Sequence, residues 1–178
     1  MKREIQVFDY AKEIMKAVDS GVLVTTKTDE KVNSMTISWG TLGIEWGKAI
    51  FTIYVRVNRF TKYQLDKNPE FTINMPLGSF DKKILGVCGT KSGKDMDKIK
   101  ELGLTLEEPN VVSVPAIKEL PLTLECKVLY KQLQDVSTLP EDMKKDYYPE
   151  NVDSEFYGAN KDYHIMYYGE IVSAYIVE

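Results

Sequence analysis

Runs of branched and aromatic residues recur along the chain, and residues that favour turns separate one run from the next. The runs span residues 22–28, 35–39, 50–55, 71–75, 122–129 and 165–177. Such residues pack well on a pleated, half-buried surface, so the runs predict strands rather than helices. Helical segments do not alternate regularly with these strands, and no Gly-x-Gly-x-x-Gly sequence is present, which argues against a doubly wound sheet. The pattern predicts one mainly β domain with short helices, a β-barrel or an α+β fold, over residues 1–178.

The segments between the strands carry helix and turn signals. Residues 40–48 contain three glycines and are predicted to form a hairpin connection. Residues 131–163 are rich in Tyr, Asp, Glu and Lys, and we interpret them as a surface excursion with one or two helical turns, a candidate lid. Four helices are predicted from their capping residues: one capped by Asp9 and ending near Val18, one at 59–66 capped by Asn58, one at 80–87 capped by Ser79, and one opened by a Ser92–Asp95 capping box and ending near Gly103.

Charge and composition exclude several classes of protein. The 178 residues carry 23 basic and 27 acidic side chains, a net charge of −4, which disfavours nucleic acid as a partner. No apolar run approaches the roughly 18 residues of a membrane span. The charged start lacks the apolar stretch of a signal peptide, and Cys88 and Cys126 are too few for a disulfide framework, so we expect a cytoplasmic protein with reduced thiols.

Side chains suited to catalysis are scarce. One histidine, His164, and two separated cysteines cannot supply a tetrahedral zinc site. No Gly-x-Ser-x-Gly sequence supports a serine nucleophile. An enzyme with so few groups of its own is expected to take its chemistry from a cofactor.

The segment from Gly89 to Asp95 superficially resembles a phosphate-binding P-loop. Three residues rather than four separate its glycines, and Asp95 stands where a hydroxyl residue should hold magnesium, so we reject nucleotide hydrolysis. Ser92, Gly93 and Lys94 are still predicted to start a helix, where free N–H groups and the helix dipole favour an anion. The alternative is a capped helix with a solvated lysine.

A basic turn follows the strand at 50–55. Arg56 and Arg59 lie three residues apart, with Thr61 close behind. Guanidinium groups match phosphate oxygens and a threonine hydroxyl adds a donor, so the turn is a candidate phosphate site. Ordinary surface arginines at a helix start fit the same spacing.

Small polar residues also alternate along residues 33–39, which end on Trp39. A strand of this kind can present polar groups to a flat heterocycle while its apolar side chains face the core. An ordinary barrel strand with a polar outer face explains the pattern equally well.

Taken together, these segments resemble the flavin reductase-like family of FMN-binding split barrels. The residues that carry the resemblance are Asn33-Ser34-Met35-Thr36-Ile37-Ser38-Trp39-Gly40, Tyr54-Val55-Arg56 with Arg59 and Thr61, Phe71-Thr72-Ile73-Asn74, the segment from Cys88 to Asp95, and His164 through Glu170. Their order and spacing agree from about Val22 to Val177.

The resemblance implies a split β-barrel homodimer that binds FMN near the subunit interface. It assigns Arg56, Arg59 and Thr61 to the phosphate, Ser92, Gly93 and Lys94 to the closing turn, and His164 to a nicotinamide contact. The remaining expected FMN contacts are Asn33, Ser34, Met35, Thr36, Ser38, Trp39, Tyr54 and Val55. The implied activity is hydride transfer from NAD(P)H to the flavin, and the alternative is an FMN electron carrier that serves a redox partner protein and has no NAD(P)H activity.

Overall fold

The computed structural model describes residues 1–28, 31–153 and 159–178. These residues form ten strands: β1 Lys2–Glu4, β2 Val22–Thr28, β3 Lys31–Ile37, β4 Gly40–Glu45, β5 Lys48–Arg56, β6 Glu70–Met75, β7 Leu106–Glu107, β8 Ala116–Ile117, β9 Leu122–Leu133 and β10 His164–Val177. The same described residues form five α-helices, α1 Ala11–Ser20, α2 Phe60–Lys67, α3 Lys83–Thr90, α4 Lys98–Glu101 and α5 Glu141–Tyr147, and short 3₁₀ turns cover Val7–Tyr10 and Val136–Thr138. The predicted mainly β fold with short helices is confirmed. In the described part of the chain, no helix is long and apolar enough to cross a membrane.

One antiparallel sheet dominates the described residues. Its strand order is β3-β2-β6-β9-β10-β5-β4, with β1 also paired to β10, so β3 and β4 lie at opposite ends. The long strand β10 pairs with both β5 and β9 and brings His164 opposite Arg56. Arg56 and His164, which belong to two different predicted site segments, are therefore cross-strand neighbours.

The core lies inside the curled sheet. Branched and aromatic side chains of β2, β5, β6, β9 and β10 fill it, among them Val24, Ile53, Phe71 and Tyr167. A second apolar cluster, which includes Leu23, Ile84 and Cys88, packs α3 and the segment after it against the outside of β2. That second cluster holds residues 91–98 beside β3.

Several predicted boundaries and caps are wrong. The 40–48 segment is a strand, β4, that pairs with β5, and the connection shrinks to Trp46-Gly47, whose φ angles of 52° and 69° suit a two-residue hairpin turn. Asp9 lies inside a 3₁₀ turn, α2 is preceded by Arg59 and α3 by Lys82, and none of these three helix starts has a side-chain cap. Strand β3 starts four residues earlier than predicted, and β9 extends four residues further.

The predicted helix start at Ser92 is also wrong, although a helix does end close to Gly103. The Ser92 hydroxyl accepts from the backbone N–H of Lys94 in a local turn, and the helix starts only at Lys98, where the Asp97 side chain accepts from the N–H of Lys100. Serine bonds to its own backbone in turns as readily as at helix caps. The helix-dipole argument for an anion at Ser92 therefore no longer applies.

Candidate functional site

A small cavity of about 140 Å³ lies between β3, the turn from β5 into α2, and residues 91–98. We call it the cationic pocket, because Arg59, Lys91 and Lys98 line it and the Lys31 amine lies over the neighbouring Phe60 ring. Among its described lining residues, Asp162 supplies a carboxylate, which accepts from the N–H of Asn58 at 3.0 Å. The other lining residues are Asn33, Met35, Asn58, Phe60, Thr61, Ser92 and Gly93. The charge balance of this pocket favours an anion.

Lys98 is the buried cation of the pocket, with 3% of its surface exposed. Its ammonium donates to the carbonyl oxygens of Cys88 at 3.3 Å and Lys91 at 3.2 Å. Burial, together with the nearby charges of Arg59 and Lys31, lowers the pKa of Lys98 to about 8. An ammonium held among other cations and carbonyl groups is an unfavourable arrangement that a bound anion relieves.

Asn33 and Gly93 form the tightest part of the wall. The buried Oδ1 of Asn33 has no hydrogen-bond partner among the described residues. A Cβ at Gly93 would collide with this same amide and with the Phe60 ring, so the backbone of the 91–93 turn can approach β3 only because residue 93 is glycine. The pocket therefore has a close-approach glycine and an unsatisfied acceptor, both typical of a ligand cradle.

Thr61 adds a hydroxyl to the same pocket. Its side chain is buried, and its Oγ1 donates to the sulfur of Met35 at 3.6 Å. A thioether is a weak acceptor, so a charged ligand oxygen is a better partner for this donor.

A second cavity of about 250 Å³ runs along the end of β3, and we call it the strand cavity. It shares Met35 and Arg59 with the cationic pocket, so the two cavities adjoin. Its other lining residues are Thr36, Ile37, Ser38, Trp39, Tyr54, Arg56 and His164. A polar, partly aromatic slot therefore continues directly from the cationic pocket.

His164 lies buried at the inner end of the strand cavity. Its ring centroid is 4.8 Å from that of Trp39, and its Nδ1 is 2.8 Å from the hydroxyl of Tyr148. Burial, with the charges of Arg56 and Arg59, lowers the pKa of His164 to about 3. The imidazole is therefore neutral at physiological pH, and a side chain rather than the backbone satisfies Nδ1.

Arg56 lines the strand cavity but not the cationic pocket. Its guanidinium donates to the carbonyl oxygens of Asp162 at 2.9 Å and Tyr147 at 3.2 Å, and lies 5.3 Å from the centre of the Tyr148 ring. Burial lowers the pKa of Arg56. Arg56 thus joins the described part of the excursion, at Tyr147 and Asp162, to the end of β5.

The structure brings most of the predicted site residues together. Ser34, Val55 and Lys94 lie outside both cavities: the Ser34 hydroxyl bonds Thr25 at 2.7 Å, Val55 is in the core, and Lys94 is exposed. Asn33, Arg59, Thr61, Ser92 and Gly93 line the cationic pocket, and Thr36, Ser38, Trp39, Tyr54, Arg56 and His164 line the strand cavity, with Met35 and Arg59 common to both.

The sequence reasoning missed Lys91, Lys98, Asp162 and Tyr148. In sequence Lys98 looks like any solvated helix lysine, and no local pattern distinguishes it. Asp162 and Tyr148 belong to the excursion, which reaches the site through contacts that span about a hundred residues of sequence, such as the bond from Arg56 to Asp162.

Comparison with known proteins identifies sequence relatives of the chain. Proteins from Archaeoglobus fulgidus and Pyrococcus abyssi are 32% identical over 100 residues and 29% identical over 106 residues. These matches cover 56% and 60% of this chain. The chain spans 55% and 59% of the length of those two relatives.

Solved structures of several proteins share the fold. Flavoredoxin from Methanosarcina acetivorans matches with a TM-score of 0.65 and 22% identity, over 89% of this chain and 68% of that one. An FMN-binding domain of a flavin reductases-like enzyme from Shewanella baltica matches with a TM-score of 0.65 and 16% identity, over 99% and 77%. An NADH:FAD oxidoreductase from Streptomyces globisporus matches with a TM-score of 0.63 and 14% identity, over 88% and 75%.

At these identities the likeness shows the fold, and it confirms a split barrel of the flavin reductase-like type, whose sheet is not closed within the described part of the chain. The family model described as a flavin reductase like domain matches residues 15–178, which is most of the chain. The chain therefore belongs to the flavin reductase-like family.

Proposed function

We propose that the chain binds FMN, with the phosphate in the cationic pocket and the ring system in the strand cavity. The observation that carries the proposal is Lys98, a buried ammonium beside Arg59 that donates, among the described residues, to two carbonyl oxygens and to no carboxylate. The close approach of Gly93 supports a ligand at the same place, and the unsatisfied Asn33 amide oxygen is suited to accept from a hydroxyl group of that ligand. Flavins are the ligands that the family membership leads one to expect.

The residues of the cationic pocket suit the phosphate end of FMN, and those of the strand cavity suit its ring system. Donors and cations suit the phosphate: Arg59, Thr61, Ser92, the N–H of Gly93, and Lys98. Met35 lies where the two cavities meet and Asn33 lines the cationic pocket, positions that suit the ribityl chain, and the residues proposed for the ring are Thr36, Ser38, Trp39, Tyr54, Arg56 and His164. Ser34, Val55 and Lys94 face away from both cavities, so we assign them no side-chain contact.

We further propose that the chain is an oxidoreductase that accepts hydride from NAD(P)H. Bound FMN supplies the redox chemistry, and the protein supplies position and electrostatics. The guanidinium groups of Arg56 and Arg59 favour an electron-rich ring in the strand cavity. His164 is neutral and its Nδ1 is occupied, so it serves as a positioning contact for the nicotinamide rather than as a proton donor at neutral pH.

The second candidate function is an FMN electron carrier without its own NAD(P)H activity. The likeness to flavoredoxin favours this candidate. It would exchange electrons with a protein partner rather than with a nicotinamide nucleotide. Anaerobic mixing with NADH or NADPH separates the two candidates, because rapid bleaching of the flavin band requires the reductase and no bleaching with either nucleotide favours the carrier.

A homodimer in the cytoplasm remains our proposed working state. The exposed side chains of Ile44, Trp46 and Tyr130 cluster around the β4–β5 turn, and Trp46 and Tyr130 contact each other and the half-buried ring of Tyr168. Contiguous exposed aromatic surface is typical of protein interfaces. We expect the second subunit to cover this surface.

Titration of the flavin-free protein with FMN, followed by flavin fluorescence, tests the proposed function. Saturable binding of one FMN per chain is expected, with riboflavin bound more weakly because it lacks the phosphate. A protein that purifies colourless and shows no change on titration with either flavin would refute FMN binding.

A further inference from the structure

A third cavity, of about 500 Å³, lies between α1 and the excursion. We call it the apolar cavity. Met15 and Val18 of α1 form one wall, Leu139, Met143 and Tyr147 of the excursion form the opposite wall, and Trp39 lies between them. The function proposed above does not use this cavity.

The apolar cavity adjoins the proposed ring site. Ser38, Trp39 and Tyr54 line both the strand cavity and the apolar cavity. A molecule in the apolar cavity would therefore lie next to a ring in the strand cavity, with Trp39 common to both.

The charge of the lining distinguishes this cavity from the cationic pocket. Among the described residues that line it, Asp19 carries a charge, and this exposed carboxylate lies in the last turn of α1. Phosphate and carboxylate ligands need cations or several donors to offset their desolvation, and a lining of apolar and aromatic groups with one acid supplies neither. The electrostatics select against anionic ligands.

Shape and polar groups indicate what the cavity does accept. Trp39 and Tyr147 meet edge to face with ring centroids 5.2 Å apart, an arrangement that extends readily to a third ring. Gln134, whose amide oxygen accepts from Tyr148 at 2.6 Å, also lines the cavity and carries amide N–H donors suited to a carbonyl oxygen. A volume of about 500 Å³ falls within the range of about 300–1,000 Å³ that is usual for small-molecule sites.

We infer that the apolar cavity binds a flat, uncharged aromatic molecule that carries a carbonyl group, with its ring between the methionines of the two walls and beside Trp39. Its position beside a bound flavin rests on the proposed function. The cavity itself does not depend on a bound flavin. Its chemistry excludes the phosphates of a nicotinamide nucleotide, so a carbonyl compound of this class is a different ligand from the proposed hydride donor.

Binding of coumarin to the flavin-free protein tests the inference, with isothermal titration calorimetry as the readout. Coumarin is a flat, uncharged bicycle with a carbonyl group, and coumarin-3-carboxylate is its charged counterpart of nearly the same shape. Saturable coumarin binding is expected, with at least tenfold weaker binding of the carboxylate. Absence of saturable coumarin binding, or equal affinity for the two probes, would overturn the inference.

Two substitutions locate the site from opposite walls. Met15→Glu and Met143→Glu each place a carboxylate at the cavity, where the wild-type side chains are 38% and 43% exposed and so tolerate a polar replacement. Each is expected to weaken coumarin binding at least tenfold. Leu106→Glu is the matched control, because Leu106 is 39% exposed on β7 and does not line the cavity. Unchanged coumarin affinity in both methionine variants, or equal loss in the control, contradicts the assignment.

FMN titration of the same variants keeps the two proposals separate. The methionine variants are expected to retain wild-type FMN affinity, since neither residue lines the cationic pocket or the strand cavity. Coumarin binding without FMN binding in the wild type would leave the apolar cavity established and refute the proposed function. FMN binding without coumarin binding would support the proposed FMN site and refute the inference about the apolar cavity.

Discussion

The Tyr148 hydroxyl lies 2.8 Å from Nδ1 of His164, and it donates to the amide oxygen of Gln134 at 2.6 Å. A tyrosine hydroxyl has one proton to donate, so its oxygen must accept from His164. Nδ1 therefore carries the imidazole proton, and Nε2 is left as an acceptor. A residue of the excursion thus sets the tautomer of a histidine that lines the proposed ring site.

This relationship predicts a fixed tautomer. Nitrogen NMR of the wild-type protein should show Nδ1 protonated and Nε2 unprotonated from pH 5 to pH 8, because the low pKa of His164 keeps the ring neutral throughout. Tyr148→Phe removes the acceptor and should yield a mixture of tautomers. Tyr163→Phe is the control, since the Tyr163 hydroxyl bonds Glu150 instead. A proton on Nε2 in the wild type would contradict the assignment.

The buried amine of Lys98 predicts opposite effects on stability and on FMN affinity. With the pKa lowered from 10.5 to about 8, the unfolded chain binds more protons than the folded one between those pH values. The free energy of unfolding of the flavin-free protein should therefore rise as pH increases through this window, by on the order of a few kcal/mol in all. Lys98→Met should remove this rise and raise stability near pH 7, as measured by urea denaturation.

FMN affinity should respond in the other direction. A phosphate holds Lys98 protonated, so above pH 8 binding must take up a proton, and the affinity should fall by up to about tenfold per pH unit. Lys98→Met should weaken FMN binding by about 10- to 100-fold at pH 7, the size of one lost charge-assisted hydrogen bond, with little change for riboflavin. Equal losses for FMN and riboflavin would mean that Lys98 does not bind the phosphate.

Substitutions of Arg59 and Arg56 should have different effects on the affinities for FMN and riboflavin. Arg59 lines the cationic pocket, so Arg59→Ala should weaken FMN binding by about 10-fold or more and leave riboflavin binding nearly unchanged. Arg56 holds the carbonyl oxygens of Tyr147 and Asp162, so Arg56→Ala should weaken both flavins alike and expose the excursion to limited proteolysis. If Arg56→Ala weakened FMN binding but not riboflavin binding, Arg56 would be assigned to the phosphate after all.

How far the sequence predicts this site depends on the range of the contacts involved. Strand β2 was predicted with its observed bounds because its branched residues are a local signal. Strand β4 was not predicted, because its glycines indicate a turn and the strand is stabilised by its pairing with β5. The phosphate role inferred for Arg56 took no account of a backbone carbonyl oxygen about a hundred residues away in sequence, to which its guanidinium donates. Lys98 could not be found for a related reason, since burial of a lysine is decided by what packs over it.

Gly93 predicts a steric test of the cationic pocket. A Cβ at this position collides with the Asn33 amide and the Phe60 ring, so Gly93→Ala should push the 91–93 turn away from β3. Overpacking of this kind costs roughly 1–3 kcal/mol, which corresponds to a loss of FMN affinity of about fivefold or more in a folded protein. Gly86→Ala is the control, because a Cβ at that α3 position meets nothing within 4 Å and should slightly stabilise the helix. If the Gly93 variant kept wild-type FMN affinity, the 91–93 turn would not be part of the FMN site.

The exposed ring cluster around Trp46 predicts the oligomeric state. Trp46 sits in the β4–β5 turn and contacts Tyr130 and Tyr168, and this surface is the one that we expect a second copy to cover. Sedimentation of the wild type should give a dimer, and Trp46→Glu should shift it toward monomer because a carboxylate would be buried without a partner. Val111→Glu changes an equally exposed apolar side chain elsewhere and should remain dimeric. A monomeric wild type would contradict the proposed dimer. A dimer that Trp46→Glu leaves unchanged would place the subunit contact on another face.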